Sequence, residues 1–255
     1  MARAEVRGGL TAAPATWRLA SLVAVREETP AARTLVLDVP DWPGHLPGQH
    51  VDVQLTAEDG YRAQRSYSLA APPEDGRIEI TVQRVDDGEV SPYLTEDYAV
   101  GDLIELRGPV GGWFVWRPEQ TAPVLLVGGG SGIVPLMAMA RTRRSAGSRA
   151  PFRLLYSVRT PADVYYAGEL RRPPAGDAGL DSTVIYTRAA PEGHPRPPGR
   201  ITAEDLARHG WPPDFEPLCY VCGPTGFVER AANFLIGLGH DPARTRTERF
   251  GPSGG

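Results

Sequence analysis

Cysteine is almost missing from this sequence: Cys219 and Cys222 are the only two in 255 residues. Two thiols exclude a disulfide framework, and they exclude an iron-sulfur cluster held by four cysteines of these residues. Long apolar runs are missing as well. No stretch approaches the roughly 20 apolar residues of a membrane-spanning helix, and no apolar segment near the N-terminus precedes a cleavage site, so a soluble cytoplasmic protein is expected. Excess charge is also small. With a net charge of -4 there is no basic footprint, and nucleic acid is not expected as a partner. The short basic run "RTRR" ending at Arg144 reads as the solvated end of a helix.

Turn formers are plentiful, with 29 Gly and 26 Pro. Hydrophobic runs continue between them, so disorder is expected mainly at the chain ends. From about Trp17 to Phe114 short alternating segments ("WRLASLVAVREE", "ARTLVLDVP", "HVDVQLTA", "QRSYSLA", "RIEITVQRV", "DLIELRGPV") predict an antiparallel barrel or sandwich, interrupted by a helical turn at "SPYLTE". After residues 117–122 the pattern changes. "VLLVGG" is the continuous apolar run of a buried parallel strand, and "IVPLMAMARTRR" follows at helical period. "FRLLYSV" then precedes "ADVYYAGELRR", "STVIYT" precedes "TAEDLARH", and "PLCYVC" precedes "GFVERAANFLIGLG", whose Phe227, Ala231, Phe234, Leu235 and Leu238 form a core-facing stripe. "RTERF" supplies one further strand. Alternating strands and helices predict a parallel sheet covered on both faces. The reading is therefore two domains, a β-barrel over 17–118 and an α/β domain over 121–255.

The strongest local signal is "VLLVGGGSGIVP", residues 124–135. Glycines 128, 129, 130 and 132 let backbone N–H groups approach a pyrophosphate at a helix N-terminus. A tight turn without a ligand is the plainer alternative. The stretch is not G-x-G-x-x-G, because Ile133 and Pro135 stand where glycine would be needed. It is not a hydrolase elbow G-x-S-x-G either, since Ser131 has Gly129 before it but Ile133 where the second glycine is needed. Arg159 and Arg188 end successive strands, which favours a phosphorylated ribose and hence a mild lean to NADPH over NADH; exposed loop arginines remain the alternative. In "CYVCGPTGF" the two cysteines are three apart on a strand and point to opposite faces. That argues against a redox pair or a metal site, and no metal is expected. Cys219 reads as core, and Cys222 as facing a cofactor at the strand's carboxyl end. "RSYSLA", residues 65–70, is a strand with no plain core face, because Arg65 and Tyr67 share one side and Ser66 and Ser68 the other.

These motifs together resemble the ferredoxin-NADP reductase superfamily, in order, from Trp17 to Pro252. R-x-Y-S appears as Arg65, Ser66, Tyr67 and Ser68, the flavin-phosphate segment as "VQRVDDGEVSPYL", the glycine loop as "GGGSGIVP", the cysteine motif as "VCGPTGFVE" and the C-terminal end as "ERFG". The resemblance implies FAD on the barrel and NADPH or NADH on the α/β domain. It implies that Arg65 pairs with the flavin pyrophosphate, Tyr67 stacks on the ring, and Ser68 hydrogen-bonds near N5. Ser66 and Val82 belong to the same FAD set, as do Gly88, Glu89, Val90 and Ser91, whose backbone and Ser91 hydroxyl hold the phosphates. Gly130, Ser131 and Gly132 would cradle the second pyrophosphate, with Cys222, Gly223 and Pro224 beside the nicotinamide. Glu248 and Phe250 would return to the flavin, and Ser68, Cys222 and Glu248 form the implied catalytic set. Two residues depart from the family pattern: Asp87 stands where a second glycine is common, and Ser131 where threonine is frequent.

The implied activity is hydride transfer from NAD(P)H to FAD, then single-electron transfer to a separate acceptor, a ferredoxin. A haem protein, a molybdenum enzyme or free flavin are alternative acceptors, and a non-catalytic electron-relay subunit is the alternative outside catalysis. Nothing demands more than a monomer. Tyr67 and Ser68 point to opposite faces, so both can touch one flavin only across the strand's end or edge. Regular pairing is therefore expected to break near Ser68.

Overall fold

The computed structural model describes residues 16–171 and 180–251; the expectation for the chain ends falls on residues 1–15 and 252–255, outside the described residues. The first six strands are β1 Trp17–Thr29, β2 Ala32–Asp38, β3 His50–Thr56, β4 Arg62–Ser68, β5 Arg77–Gln83 and β6 Leu103–Val110, with helix α1 Ser91–Glu96 between the last two. They lie in the order β4-β3-β6-β1-β2-β5, and every neighbouring pair is antiparallel. An isolated bridge between Leu69 and Ile80 joins the two outer strands. That contact resolves barrel against sandwich: the sheet closes on itself. Alternation supplies the interior, where Leu35, Leu37, Val51, Val53, Ile78, Ile80, Val82 and Leu106 meet in one cluster capped by Leu94 of α1.

The second unit contains β7 Val124–Gly129, α2 Ile133–Ser145, β8 Phe152–Val158, α3 Ala167–Arg171, β9 Leu180–Tyr186, α4 Ala203–His209, β10 Leu218–Pro224, α5 Thr225–Gly237 and β11 Thr245–Phe250. Its strands run parallel in the order β11-β10-β7-β8-β9. The uninterrupted apolar run of β7 follows from cover on both faces. Val124 and Leu126 pack with α2, whereas Leu125 and Val127 pack with α4 and α5. The α5 stripe is as expected, with Ala231 and Leu235 in that second cluster and Phe227, Phe234 and Leu238 against it. Among the described residues no helix is long and apolar enough to cross a membrane.

Two expectations change. The helix over "ADVYYAGELRR" is broken: a short 3-10 turn covers Pro161–Asp163 and α3 begins only at Ala167. Tyr166 between them has φ +55, a left-handed conformation that interrupts the helix. "RTRR" is also not a solvated end. Arg143 is buried and donates to the Ala150 carbonyl at 2.7 Å, and Arg141 and Arg144 are both ion-paired to Glu169. The α2 face of the parallel sheet packs on the barrel, which brings Ala32 and Ala70 into the same cluster as Trp116, Met137 and Tyr156. Arg141 reaches the barrel there and donates to the Ala70 carbonyl, whereas Arg143 is buried within the second unit against Ala150 and Phe152.

Candidate functional site

Pairing breaks where the strand argument expects it. The β3–β4 ladder ends at His50 opposite Ser68. Leu69 then donates to the Gln49 carbonyl at 2.9 Å, while Ala70 has already crossed to β5 and donates to the Glu79 carbonyl at 2.8 Å. Before the Leu69–Ile80 bridge β4 and β5 are not paired, so a slot opens between them beside Tyr67 and Arg65. Ser68 is 5% exposed, and its Oγ has no hydrogen-bond partner among the described residues. A buried hydroxyl is costly unless bonded, so this atom marks where a polar ligand atom fits. Tyr67 packs partly buried against the barrel core, which pushes its hydroxyl well above the usual phenol range.

Across the slot lies the segment before α1. Gly88 is demanded by the tight turn, since a Cβ there would lie 2.9 Å from Ser91 Oγ and 3.0 Å from the Val85 carbonyl. Ser91 Oγ accepts from the Val85 N–H at 3.1 Å, and Val90 is fully buried as the residue before the helix. The side chain of Glu89 is engaged in a way the sequence did not suggest. It accepts from Arg65 Nη2 at 2.8 Å and from the Tyr61 hydroxyl at 2.6 Å, and these two bonds hold its carboxyl below the usual range. Arg65 is half-exposed with unused donors, so a carboxylate already lies where the resemblance puts an anion. Ser66 instead faces outward and donates to Asp52 Oδ1 at 2.6 Å, and Arg107 holds the other Asp52 oxygen at 2.6 Å. Polar residues at alternate positions of "HVDVQ" were the available signal for that cluster. Val82 is fully in the barrel core, so only its backbone is free to meet a ligand.

At the carboxyl edge of the parallel sheet, each glycine of the loop serves a different need. A Cβ at Gly132 would lie 2.2 Å from the Cys222 carbonyl, and one at Gly129 would lie 2.7 Å from the Phe227 ring. Those two let the loop sit tightly on β10 and α5. Gly130 has φ +54 and open space at its Cβ position, as a concave cradle for a ligand requires. A Cβ at Gly223, φ +150, would lie 2.9 Å from the Gly129 carbonyl. Pro224 ends β10 opposite Phe250, which packs against the inter-domain cluster.

Cys219 and Cys222 fall in clusters on opposite faces of the sheet, as their spacing requires. The Cys222 thiol is wholly covered by protein and donates to Glu248 Oε2 at 3.7 Å, so it meets Glu248 rather than an open face. Burial pushes this thiol well up and the Glu248 carboxyl up to about 7. Burial likewise raises Cys219, to about 12. Arg159 and Arg188 lie side by side, with the Arg188 N–H donating to the Arg159 carbonyl at 2.9 Å. Both side chains are exposed and have no partner among the described residues. No cluster of His, Cys, Asp or Glu among the described residues could hold a metal.

Residues 20–115 match the oxidoreductase FAD-binding domain family, and residues 126–233 match the oxidoreductase NAD-binding domain family. The chain belongs to the ferredoxin-NADP reductase superfamily. This superfamily member is 31% identical over 239 residues to the ferredoxin–NAD(P)(+) reductase component of a naphthalene 1,2-dioxygenase/salicylate 5-hydroxylase system from Ralstonia, covering 92% of this chain and 69% of that protein. It is 30% identical to a flavohemoprotein from Deinococcus radiodurans, covering 83% of this chain and 53% of that one. The chain thus spans between about half and two thirds of the length of these curated relatives. Among solved structures, the FAD/NAD-binding domain of a nitric oxide dioxygenase from Vibrio cholerae superposes with a TM-score of 0.81 at 28% identity, covering 92% of this chain and 99% of that one. An Amycolatopsis cytochrome P450 reductase gives 0.81 at 26%, covering 99% and 75%.

Proposed function

We propose that this chain is a cytoplasmic flavin-dependent oxidoreductase that takes reducing equivalents from NAD(P)H and delivers them to a separate protein acceptor, a ferredoxin. The observation that carries this reading is the unpartnered Ser68 Oγ where β4 leaves β3 for β5, on the strand that also carries Tyr67 and the Arg65–Glu89 pair. When bound, FAD supplies the exchange between two-electron and one-electron chemistry. The division into domains falls between residues 118 and 121.

The chain's own residues bind and orient. The Arg65 fork suits a diphosphate, with Gly88, Glu89, Val90 and Ser91 offering backbone and hydroxyl groups across the slot. Tyr67 and Phe250 offer aromatic faces, Ser66 and Val82 contribute through their backbones, and Ser68 offers its hydroxyl to a ring nitrogen. Gly130, Ser131 and Gly132 receive the nucleotide's phosphates at the start of α2, with Gly223 and Pro224 at the nicotinamide end. Arg159 and Arg188 favour NADPH, because two free cations suit a 2'-phosphate better than a ribose diol. Glu248, with its carboxyl near neutrality and the Cys222 thiol on it, can hold a proton beside the reacting groups. Orientation is the main contribution asked of the protein in the hydride step.

The reductase components among the relatives support the ferredoxin reading. A haem protein is the second reading, favoured by the flavohemoprotein and P450 reductase similarities. Visible spectra before and after NADPH and NADH test the first half. Flavin bleached by nucleotide and reoxidised by added ferredoxin supports the proposal, and reoxidation by a haem protein alone supports the second reading. A protein without bound flavin overturns both.

A further inference from the structure

A ring of buried and partly buried hydrogen bonds ties the two domains together through one residue of the second. The Tyr166 hydroxyl lies 2.5 Å from Thr81 Oγ1 on β5, and Thr81 Oγ1 lies 2.8 Å from Thr34 Oγ1 on β2. Thr34 donates to Glu28 Oε1 on β1 at 2.7 Å, and the other Glu28 oxygen accepts the Tyr166 backbone N–H at 3.1 Å. Thr34, Thr81 and Tyr166 are all buried. The left-handed backbone of Tyr166, which breaks the expected helix, is what carries both its N–H and its hydroxyl to the barrel.

A second tie covers the first. The Arg141 guanidinium lies 4.4 Å from the centre of the Tyr166 ring and donates to Glu169 at 2.7 Å and to the Ala70 carbonyl at 2.8 Å. Ala70 is two residues beyond Ser68, where β4 leaves its ladder. Tyr166 follows the carboxyl end of β8, which ends at Val158. The cluster therefore connects the sheet edge proposed for the nucleotide to the strand proposed for the flavin. Every buried polar atom in the ring is bonded, as a unique arrangement requires.

We infer that Tyr166 is a positioning residue: its hydrogen-bond ring with Thr81, Thr34 and Glu28 fixes how the nucleotide domain sits against the barrel, and so the approach of nicotinamide to flavin. This rests on the reductase reading above. Reacting atoms must come within roughly 3–3.5 Å, and a misplacement of about 1 Å can cost on the order of 100-fold in rate.

Tyr166→Phe keeps the ring under Arg141 and removes only the hydroxyl. With the flavin-loaded full chain, the limiting rate of flavin bleaching at saturating NADPH should fall about 10-fold or more, with flavin content and nucleotide affinity near parental values. Thr81→Val removes the same bond and the one to Thr34, so it should lower the rate at least as far, and the double variant should be no slower than Thr81→Val alone. A readout independent of activity uses spin labels at Val100→Cys and Phe215→Cys, exposed positions on the two domains; the native thiols are buried and resist labelling. Tyr166→Phe should broaden the distance distribution between the labels. An unchanged limiting rate, additive effects in the double variant, or an unchanged distribution would each overturn the proposal. If the parent does not bleach, the reductase reading fails, and the label distances still decide the positioning claim.

Discussion

Replacing Glu248 by Gln should make the protein more stable, and only above mildly acidic pH. Glu248 is half-buried at the end of the sheet, and its carboxyl is raised from 4.5 to about 7 because burial disfavours its charge. Below about pH 4.5 the group is protonated in both folded and unfolded chains and nothing is lost. As pH rises towards 7 the unfolded chain releases the proton while the folded chain keeps it, so stability falls, and the loss is complete above 7. The shift corresponds to about 3 kcal/mol between these limits. Gln is neutral throughout. The stability difference between Glu248→Gln and parent should thus grow from near zero at about pH 4.5 to about 3 kcal/mol at about pH 8.5, measured by urea unfolding with FAD kept saturating. The Cys222 thiol donates to this carboxylate and eases its ionisation slightly, so Cys222→Ala should enlarge the gain. A difference that stays constant with pH would refute the argument.

Three further outcomes follow from the site. Arg65→Ala should weaken FAD binding about 10–100-fold, the loss of charge-assisted bonds, whereas Glu89→Gln should strengthen it by releasing Arg65 from its partner; flavin fluorescence titration checks both, and opposite signs would count against the assignment. Exchanging Arg159 and Arg188 together for Ala should raise the KM for NADPH about 10-fold or more and leave that for NADH nearly unchanged; equal effects on both would remove the NADPH preference. Gly132→Ala, whose Cβ would meet the Cys222 carbonyl at 2.2 Å, should cost roughly 3 kcal/mol or more. Gly130→Ala has open space and should cost only the left-handed backbone term, about 1–2 kcal/mol, with thermal melts separating the two.

Short-range pattern carried most of what was legible. Alternation and apolar runs placed each strand within a residue or two, because burial on one face or two imprints itself on consecutive residues. The glycine loop and the opposite faces of Cys219 and Cys222 were readable for the same local reason. "SPYLTE" was readable as a helical turn, but the sequence carried no sign that the Glu89 side chain before it would reach Arg65 and Tyr61, 24 and 28 residues away in sequence. Nor did it show that the Ser66 hydroxyl would donate to Asp52, a pairing set by register between β3 and β4.

By itself, the sequence determined two domains, their strand types and the glycine geometry, since backbone conformation and periodic burial are decided by neighbours along the chain. Tertiary structure alone decided barrel against sandwich, through one bridge between Leu69 and Ile80. It alone turned "RTRR" from a solvated end into an inter-domain tie and broke a helix at Tyr166, because a buried polar group must follow its partner wherever the fold places it.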